Sequence, residues 1–262
     1  MKAISLQKQN IYTGNLILVN GEYGYKEGES DLLMPVLNEV SHILLKYRAV
    51  VLLSSLMEEI RGWENIVPVS GWRSGKEQQE IWDSSMEENG KEFTRKYVAF
   101  PGHSEHQTGL AIDLGLKQEV VDFIRPDFPY TGICQAFRER AAEYGFIERY
   151  PSGKEAITGI GHEPWHFRYV GMPHAAIMRE KNMTLEEYIS FVKRFPYGKM
   201  HYCYNGGNRE ILVSYLKAKD SEETVLEIDE ALPYCVSGNN VDGFIITQWR
   251  MRNGNEAKLR NT

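Results

Sequence analysis

The chain has 262 residues, of which 42% are hydrophobic and 25% charged, a composition typical of a soluble enzyme with a full hydrophobic core. The formal net charge of -6 and the lack of a basic stripe exclude a nucleic-acid partner from our expectations. No apolar segment is long enough to span a membrane, and the first ten residues lack the apolar centre of a secretory signal. We therefore expect a cytoplasmic protein without a membrane span.

Two segments near the start of the chain predict regular structure. Leu16 to Asn20 is a short apolar run typical of an edge strand. From about Pro35 to Gly62, apolar residues recur at spacings of three and four, which predicts helices that pack on the core.

The next segment predicts a strand, a helix and a loop. Ile66 to Ser70 is an apolar, strand-like run, and Arg73 follows it. A helix predicted from Lys76 to about Asn89 would carry Gln78 in its first turn and therefore near Arg73. The stretch from Gly90 to Gly102 is predicted to be a loop that forms part of a cleft wall.

The segment from Gly109 to Gly115 alternates bulky apolar residues with small ones, as a half-buried strand does. Asp113 would then share a strand face with small neighbours, which leaves room for a metal ion. His106 lies seven residues before Asp113, an odd separation that would put the two on opposite faces of one continuous strand. If both bind one ion, a turn at Thr108-Gly109 must intervene.

The string His162-Glu163-Pro164-Trp165-His166 matches the H-E-x-x-H pattern of helical zinc peptidases, in which His162 and His166 would both be ligands. A helix here would have to accommodate Pro164, at a cost of about 3 kcal/mol unless the proline fell in the first turn. Residues 165–170 also alternate as in a strand. We therefore favour a strand, with His166 as the ligand and His162 outside the site.

The pattern changes beyond residue 185. A last helix is predicted from about Thr184 to Phe195, and short strand-like runs separated by turn residues follow it. We predict an α+β protein with a main domain over residues 1–195, a small β-rich accessory domain over 196–252 and a disordered tail over 253–262.

The two motif segments together supply two imidazoles and two carboxylates, enough for a hydrolytic zinc site. Catalytic zinc is commonly held by three side chains drawn from His, Asp and Glu, with water in the fourth position and a separate carboxylate to take the proton of that water. His106, Asp113 and His166 can supply the ligands, which leaves Glu163 as the base.

The combined motifs resemble those of the zinc D,D-peptidases of the VanY, VanX and VanXY type. The S-x-H-x-x-G-x-A-x-D segment of residues 104–113 and the E-P-W-H segment of 163–166 carry the resemblance, supported by S-G-W-R-S at 70–74 and R-Y-V-G at 168–171. It covers roughly residues 11–180 and implies a mixed, mainly antiparallel sheet flanked by helices. The VanY type is usually membrane-anchored. Because we expect no membrane anchor in this sequence, VanXY proteins are the nearer match.

The resemblance also implies roles for individual residues. Its two His and its Asp, which correspond to His106, Asp113 and His166, would bind one zinc ion, and Glu163 would be the catalytic base.

Three further positions match substrate-contacting residues of the family. Arg73 and Gln78 correspond to the substrate-binding Arg and Gln, and Ser104 to the motif Ser. The implied substrate is D-alanyl-D-alanine, as the free dipeptide, at the end of a peptidoglycan precursor, or both. Removing such termini would deprive vancomycin of its target.

Two alternatives stay open at this point. The chain could be an L,D-carboxypeptidase or another peptidase that acts on cell-wall recycling fragments. It could instead be a non-catalytic, zinc-bearing binder of wall fragments, although binding alone needs no general base such as Glu163. The oligomeric state does not follow from the sequence.

Overall fold

The computed structural model describes residues 1–27, 32–206 and 209–251. They fall into two compact units, named here after their place in the sequence: a central unit, Leu18–Glu186, and a terminal unit, which combines Met1–Ile17 with Glu187–Thr262. The predicted tail, 253–262, lies outside the described residues.

The strands are β1 (Lys2–Gln7), β2 (Leu33–Pro35), β3 (Leu44–Lys46), β4 (Ile66–Ser70), β5 (Ala111–Leu116), β6 (Phe146–Tyr150), β7 (Glu163–Tyr169), β8 (Tyr202–Gly206), β9 (Arg209–Lys217), β10 (Glu223–Ile228), β11 (Tyr234–Gly238) and β12 (Gly243–Met251). The helices are α1 (Tyr47–Glu59), α2 (Gly75–Glu88), α3 (Gly90–Tyr97), α4 (Gly132–Ala141), α5 (Glu155–Thr158), α6 (His174–Lys181) and α7 (Leu185–Val192). No helix among the described residues has both the length and the apolar character needed to cross a membrane.

The central unit is built on a four-stranded antiparallel sheet in the order β4-β5-β7-β6. Ser70 of β4 and His166 of β7 both lie opposite Asp113 of β5. Tyr150 of β6 lies opposite Glu163, the first residue of β7. The predicted α+β fold with a mainly antiparallel sheet and flanking helices is confirmed, and its register gathers polar residues from all four strands.

The apolar core of the central unit packs α1 and α4 against this sheet. The alternation predicted for β5 is present, since Ile112 and Leu114 are fully buried in this core. The helices and the neighbouring strand contribute buried side chains that include Leu53, Leu56, Met57, Phe137 and Phe167. Each such side chain stabilises the fold by about 1.5–3 kcal/mol relative to an exposed one, which anchors the strands that carry the polar residues.

The edge strand predicted from Leu16 to Asn20 is absent, since no strand of the structure includes these residues, all of which it describes.

Two further local predictions, both in the central unit, were wrong. The helix predicted from about Pro35 begins only at Tyr47, because residues 33–35 and 44–46 pair as the short hairpin β2-β3. The predicted loop of residues 90–102 contains the helix α3, whose Thr94 hydroxyl lies 2.8 Å from that of Ser85 on α2. In both places the contacts that decide the structure are made with other segments, so local spacing was a poor guide.

The terminal unit is β-rich, as predicted. It contains a sheet of order β11-β12-β9-β8 and a two-stranded ribbon of β1 and β10. Its core joins the first strand to the late ones through Leu6, Ile11, Leu226, Ile228, Phe244 and Ile246. The boundary differs from the predicted one, because β1 pairs with β10, a partner more than 200 residues away that no local pattern reveals. Residues 1–17 therefore belong with the C-terminal strands rather than with the main domain.

Candidate active site

The three predicted metal ligands converge in the central unit. His106 lies in a short 3-10 turn, Glu105–Thr108, and Gly109 ends this turn with a φ of 68°, a conformation that favours glycine. This is the turn that the odd spacing of His106 and Asp113 requires. One donor atom from each of His106, Asp113 and His166 lies within 4.8 Å of the others, and all three side chains are buried.

The two oxygens of Asp113 each face one imidazole. His106 Nε2 is 3.1 Å from Asp113 Oδ2, and His166 Nδ1 is 2.8 Å from Asp113 Oδ1. On the far side of the first ring, His106 Nδ1 donates to the carbonyl oxygen of Gly71 at 2.7 Å, which leaves Nε2 without a proton. Gly71 must be a glycine here, because a Cβ would lie 2.4 Å from the Leu44 carbonyl oxygen.

This donor set fits a divalent metal ion such as zinc. Burial and the nearby Arg73 guanidinium lower the pKa of His106 to about 4, so its imidazole is neutral and able to bind a metal. Although burial opposes ionisation, the protonated His166 imidazole holds the pKa of Asp113 well below its usual range. Burial also opposes the charge of His166, but Asp113 raises its pKa to about 9. A metal must displace the His166 proton, so metal affinity should rise with pH up to this value.

Glu163 lies beside the three donors without being one of them. It begins β7, is 5% exposed, and its Oε2 is 3.9 Å from His166 Nδ1. Burial, assisted by the negative charge of Asp113, raises the pKa of Glu163 to about 8. A carboxyl with this pKa can exchange a proton near neutral pH.

Arg73 reaches the same cleft from the segment between β4 and α2. Ser74 caps α2 by accepting from the Glu77 backbone N–H at 3.2 Å, so the helix starts directly after Arg73. The guanidinium donates from Nη2 to Asp113 Oδ2 at 3.0 Å and from Nη1 to Gln78 Oε1 at 3.2 Å.

Gln78 and Ser104 occupy different environments in this cleft. Gln78 is 1% exposed and also donates to the Ala99 carbonyl oxygen at 2.8 Å, so both ends of its amide contact protein groups. Ser104 Oγ accepts from the His106 backbone N–H at 3.3 Å at the start of the 3-10 turn. All seven predicted site residues line a single cleft.

The rival ligand His162 does not reach this cleft. Residues 163–169 form a strand, so the helical H-E-x-x-H interpretation, held open above, does not apply. The His162 ring stacks on Tyr130, and its Nε2 lies 2.7 Å from the Tyr130 hydroxyl oxygen. It is therefore not one of the converging donors.

Sequence reasoning missed two groups of residues among those that line the cleft. Phe123 and Ile124 line it, and the Phe123 ring lies 5.5 Å from the Arg73 guanidinium carbon. Glu105 and Tyr150 line it from beside His166. Glu105 had one available signal, its position between Ser104 and His106 in the motif, whereas the aromatic residues had none.

The fold and the site together define a metal-dependent peptidase. Residues 43–172 match the family model described as VanY: D-alanyl-D-alanine carboxypeptidase. The chain is 46% identical over 146 residues to the bifunctional D-Ala-D-Ala dipeptidase and carboxypeptidase VanXYC of Enterococcus gallinarum, an alignment that covers 52% of this chain and 77% of that protein. The chain belongs to the VanY family.

Solved structures agree with this assignment. The vancomycin resistance D,D-dipeptidase VanXYg, in complex with a D-Ala-D-Ala phosphinate analog, superposes with a TM-score of 0.93 at 50% identity and covers 95% of this chain and 99% of that one. A VanY D,D-pentapeptidase from a VanB-type cassette, in complex with Zn(II), superposes with a TM-score of 0.55 at 30% identity. This match covers 67% of this chain and 98% of that one. The resemblance seen in the motifs, including the similarity to VanXY proteins, is confirmed.

Proposed function

We propose that this protein is a zinc-dependent D,D-peptidase that hydrolyses D-alanyl-D-alanine, as the free dipeptide, at the end of peptidoglycan precursors, or both. One observation carries the proposal: His106, Asp113 and His166 converge in a cleft that also holds Glu163. The activities named for the Enterococcus gallinarum relative and the analog bound by VanXYg support this choice of substrate. Such an activity would contribute to vancomycin resistance.

The zinc ion, held by His106, Asp113 and His166, would polarise the scissile carbonyl and lower the pKa of a bound water to about 7. Glu163 would accept the proton of the attacking water and later deliver it to the departing amine. Its raised pKa suits both steps, because the carboxyl must take up a proton and release it again near neutral pH.

Arg73 would stabilise the negative charge that develops on the carbonyl oxygen, since its guanidinium points into the cleft beside Asp113. Gln78 has both ends of its amide bonded to protein groups, so we propose that it acts by orienting Arg73. Ser104 uses its oxygen as a hydrogen-bond acceptor for a backbone N–H, which leaves its hydroxyl proton for the carboxylate of the substrate.

Turnover of D-Ala-D-Ala with and without a zinc chelator tests the proposal. We expect the chelator to abolish hydrolysis and added zinc to restore it. Among substrates, we expect hydrolysis of D-Ala-D-Ala, slower or no release of terminal D-Ala from the pentapeptide, and resistance of L-Ala-L-Ala and D-Ala-D-Ser. Comparable kcat/KM values for D-Ala-D-Ala and D-Ala-D-Ser, or faster cleavage of L,D-linked fragments, would contradict this and favour a wall-recycling peptidase.

We also propose that the terminal unit modulates the reaction rather than catalysing it, because all seven site residues lie within Leu18–Glu186. A cytoplasmic location stays a prediction, which fractionation of cells that express the chain would check.

A further inference from the structure

Glu105 is a buried carboxylate next to the proposed metal ligands. It is 1% exposed and lies in the same 3-10 turn as His106. Its Oε1 accepts from Arg149 Nε of β6 and from Arg168 Nη1 of β7, each at 2.8 Å. Burying a carboxylate and two guanidiniums together is costly, so a purely structural explanation is weak at this position.

The other oxygen of Glu105 points at a metal ligand. Oε2 lies 3.6 Å from His166 Nε2. Both atoms are fully buried, and among the described residues neither has a hydrogen-bond partner. The gap is about 0.1 Å longer than the upper limit of a hydrogen bond. A buried acceptor and a buried ring nitrogen that face each other are therefore the two halves of one interaction.

The same arrangement is complete at the other histidine. His106 directs Nε2 toward Asp113 and donates from Nδ1 to the Gly71 carbonyl oxygen. His166 directs Nδ1 toward Asp113 and Nε2 toward Glu105. Each imidazole thus has one nitrogen on the side of the donor cluster and an acceptor behind the other nitrogen.

We propose that Glu105 is a positioning residue that accepts the Nε2–H of His166 and so keeps Nδ1 free to bind zinc. The proposal rests on the zinc site proposed above but not on the identity of the peptide substrate. An acceptor behind a ligating histidine fixes its tautomer and orientation, and a carboxylate also makes the imidazole a more basic ligand.

Arg149 and Arg168 give Glu105 the properties that this role requires. Both guanidiniums are permanent cations that donate to Oε1, an arrangement that suits a carboxylate acting only as an acceptor. They also fix its orientation, because Oε1 is bonded to both and only Oε2 remains for His166. Arg149 in turn donates to Glu186, from Nη1 to Oε2 at 3.0 Å and from Nη2 to Oε1 at 2.6 Å.

Zinc affinity of the Glu105→Gln variant tests this role. The amide oxygen of the new side chain would face the two arginines, which turns its NH2 group toward His166 Nε2. A donor there favours the tautomer with the proton on Nδ1, which blocks the ligating nitrogen. We expect zinc affinity of the whole chain, measured by competition with a chelator, to fall by about 10- to 100-fold.

Glu186→Gln is the matched control. It removes one negative charge from the same buried ion pairs but leaves Glu105 opposite His166. We expect it to lower thermal stability without changing zinc affinity. Unchanged zinc affinity in folded Glu105→Gln, or an equal loss in Glu186→Gln, would overturn the proposal.

A second measurement needs no variant and so does not depend on the folding of one. In the zinc-loaded protein, ¹⁵N NMR of the histidine rings should show His166 protonated at Nε2 and bound to the metal through Nδ1. Protonation at Nδ1 with metal bound at Nε2 would refute the role of Glu105. Zinc that binds as expected in a protein that does not hydrolyse D-Ala-D-Ala would contradict the proposed function alone.

Discussion

The two compact units bury polar side chains of different kinds. The buried Asp, Glu, His and Arg side chains among the described residues lie in the central unit: Glu105, His106, Asp113, Arg149, Glu163, His166, Arg168 and His174. The buried polar side chains described in the terminal unit are uncharged: Ser214, Thr224, Ser237, Asn239, Asn240, Thr247 and Gln248. Since charge is far more costly to bury than a neutral polar group, its concentration in one unit marks the place where chemistry justifies that cost.

The neutral groups of the terminal unit hold turns together. Asn239 Oδ1 accepts from the backbone N–H groups of Val241, Asp242 and Gly243 at 2.9, 2.9 and 3.0 Å. Ser237 Oγ accepts from the Leu16 backbone N–H at 3.0 Å. Substitutions in the central site should therefore affect metal binding and rate, whereas those in the terminal unit should affect stability.

The largest expected effect is the loss of metal. His106→Ala, Asp113→Ala and His166→Ala should each lose stoichiometric zinc, because three protein ligands are the usual minimum for a catalytic zinc site. His162→Ala is the matched control and should keep zinc, since His162 faces Tyr130. Metal analysis of the four purified variants checks this, and loss of zinc in His162→Ala with retention in His106→Ala would restore the helical interpretation.

Glu163→Gln should keep zinc and lose most of its turnover. Positioned general acid-base groups contribute about 100- to 10,000-fold, so kcat for D-Ala-D-Ala should fall by that factor. High residual activity at full zinc occupancy would show that Glu163 is not the general base.

The same variant should be more stable than the wild type when both are free of metal. The pKa of Glu163 is raised from 4.5 to about 8, so between these values the unfolded state ionises and the folded state does not. Wild-type stability therefore falls as pH rises through this window, at up to about 1.4 kcal/mol per pH unit for one group. Denaturant unfolding with a chelator at several pH values should show the advantage of Glu163→Gln growing from pH 4.5 to 8, and a constant difference would contradict the shift.

Arg73→Ala should have a somewhat smaller effect, on kcat rather than on zinc. Loss of one oxyanion donor costs about 100- to 1,000-fold in kcat. Arg73→Lys keeps the charge but not the two-pronged geometry that contacts both Asp113 and Gln78, so we expect only partial recovery. A rise in KM with kcat unchanged would show that Arg73 binds substrate and transition state equally.

The sequence was most informative where function depends on short segments. Alternation in residues 109–115 and the proline of the E-P-W-H string were enough to predict the strands of Asp113 and His166. The contacts of Glu105 could not be predicted, because Arg149 and Arg168 reach it from 44 and 63 residues away. The pairing of β1 with β10 was hidden for the same reason, since alternation within a strand does not identify a partner that lies far away in the sequence.

The smallest expected effect on activity is that of Asn239→Ala. Removing its side chain leaves three buried or part-buried backbone N–H groups without their acceptor, which should destabilise the terminal unit by about 1–3 kcal/mol. Because the site residues lie in the central unit, zinc affinity and kcat/KM should stay at wild-type values below the unfolding temperature. Thermal unfolding and D-Ala-D-Ala turnover measured on the same preparation separate the two effects. A large fall in kcat/KM of the folded variant would show that the terminal unit takes part in the reaction. It would contradict the proposal that the central unit carries metal binding and catalysis while the polar groups of the terminal unit contribute only to stability.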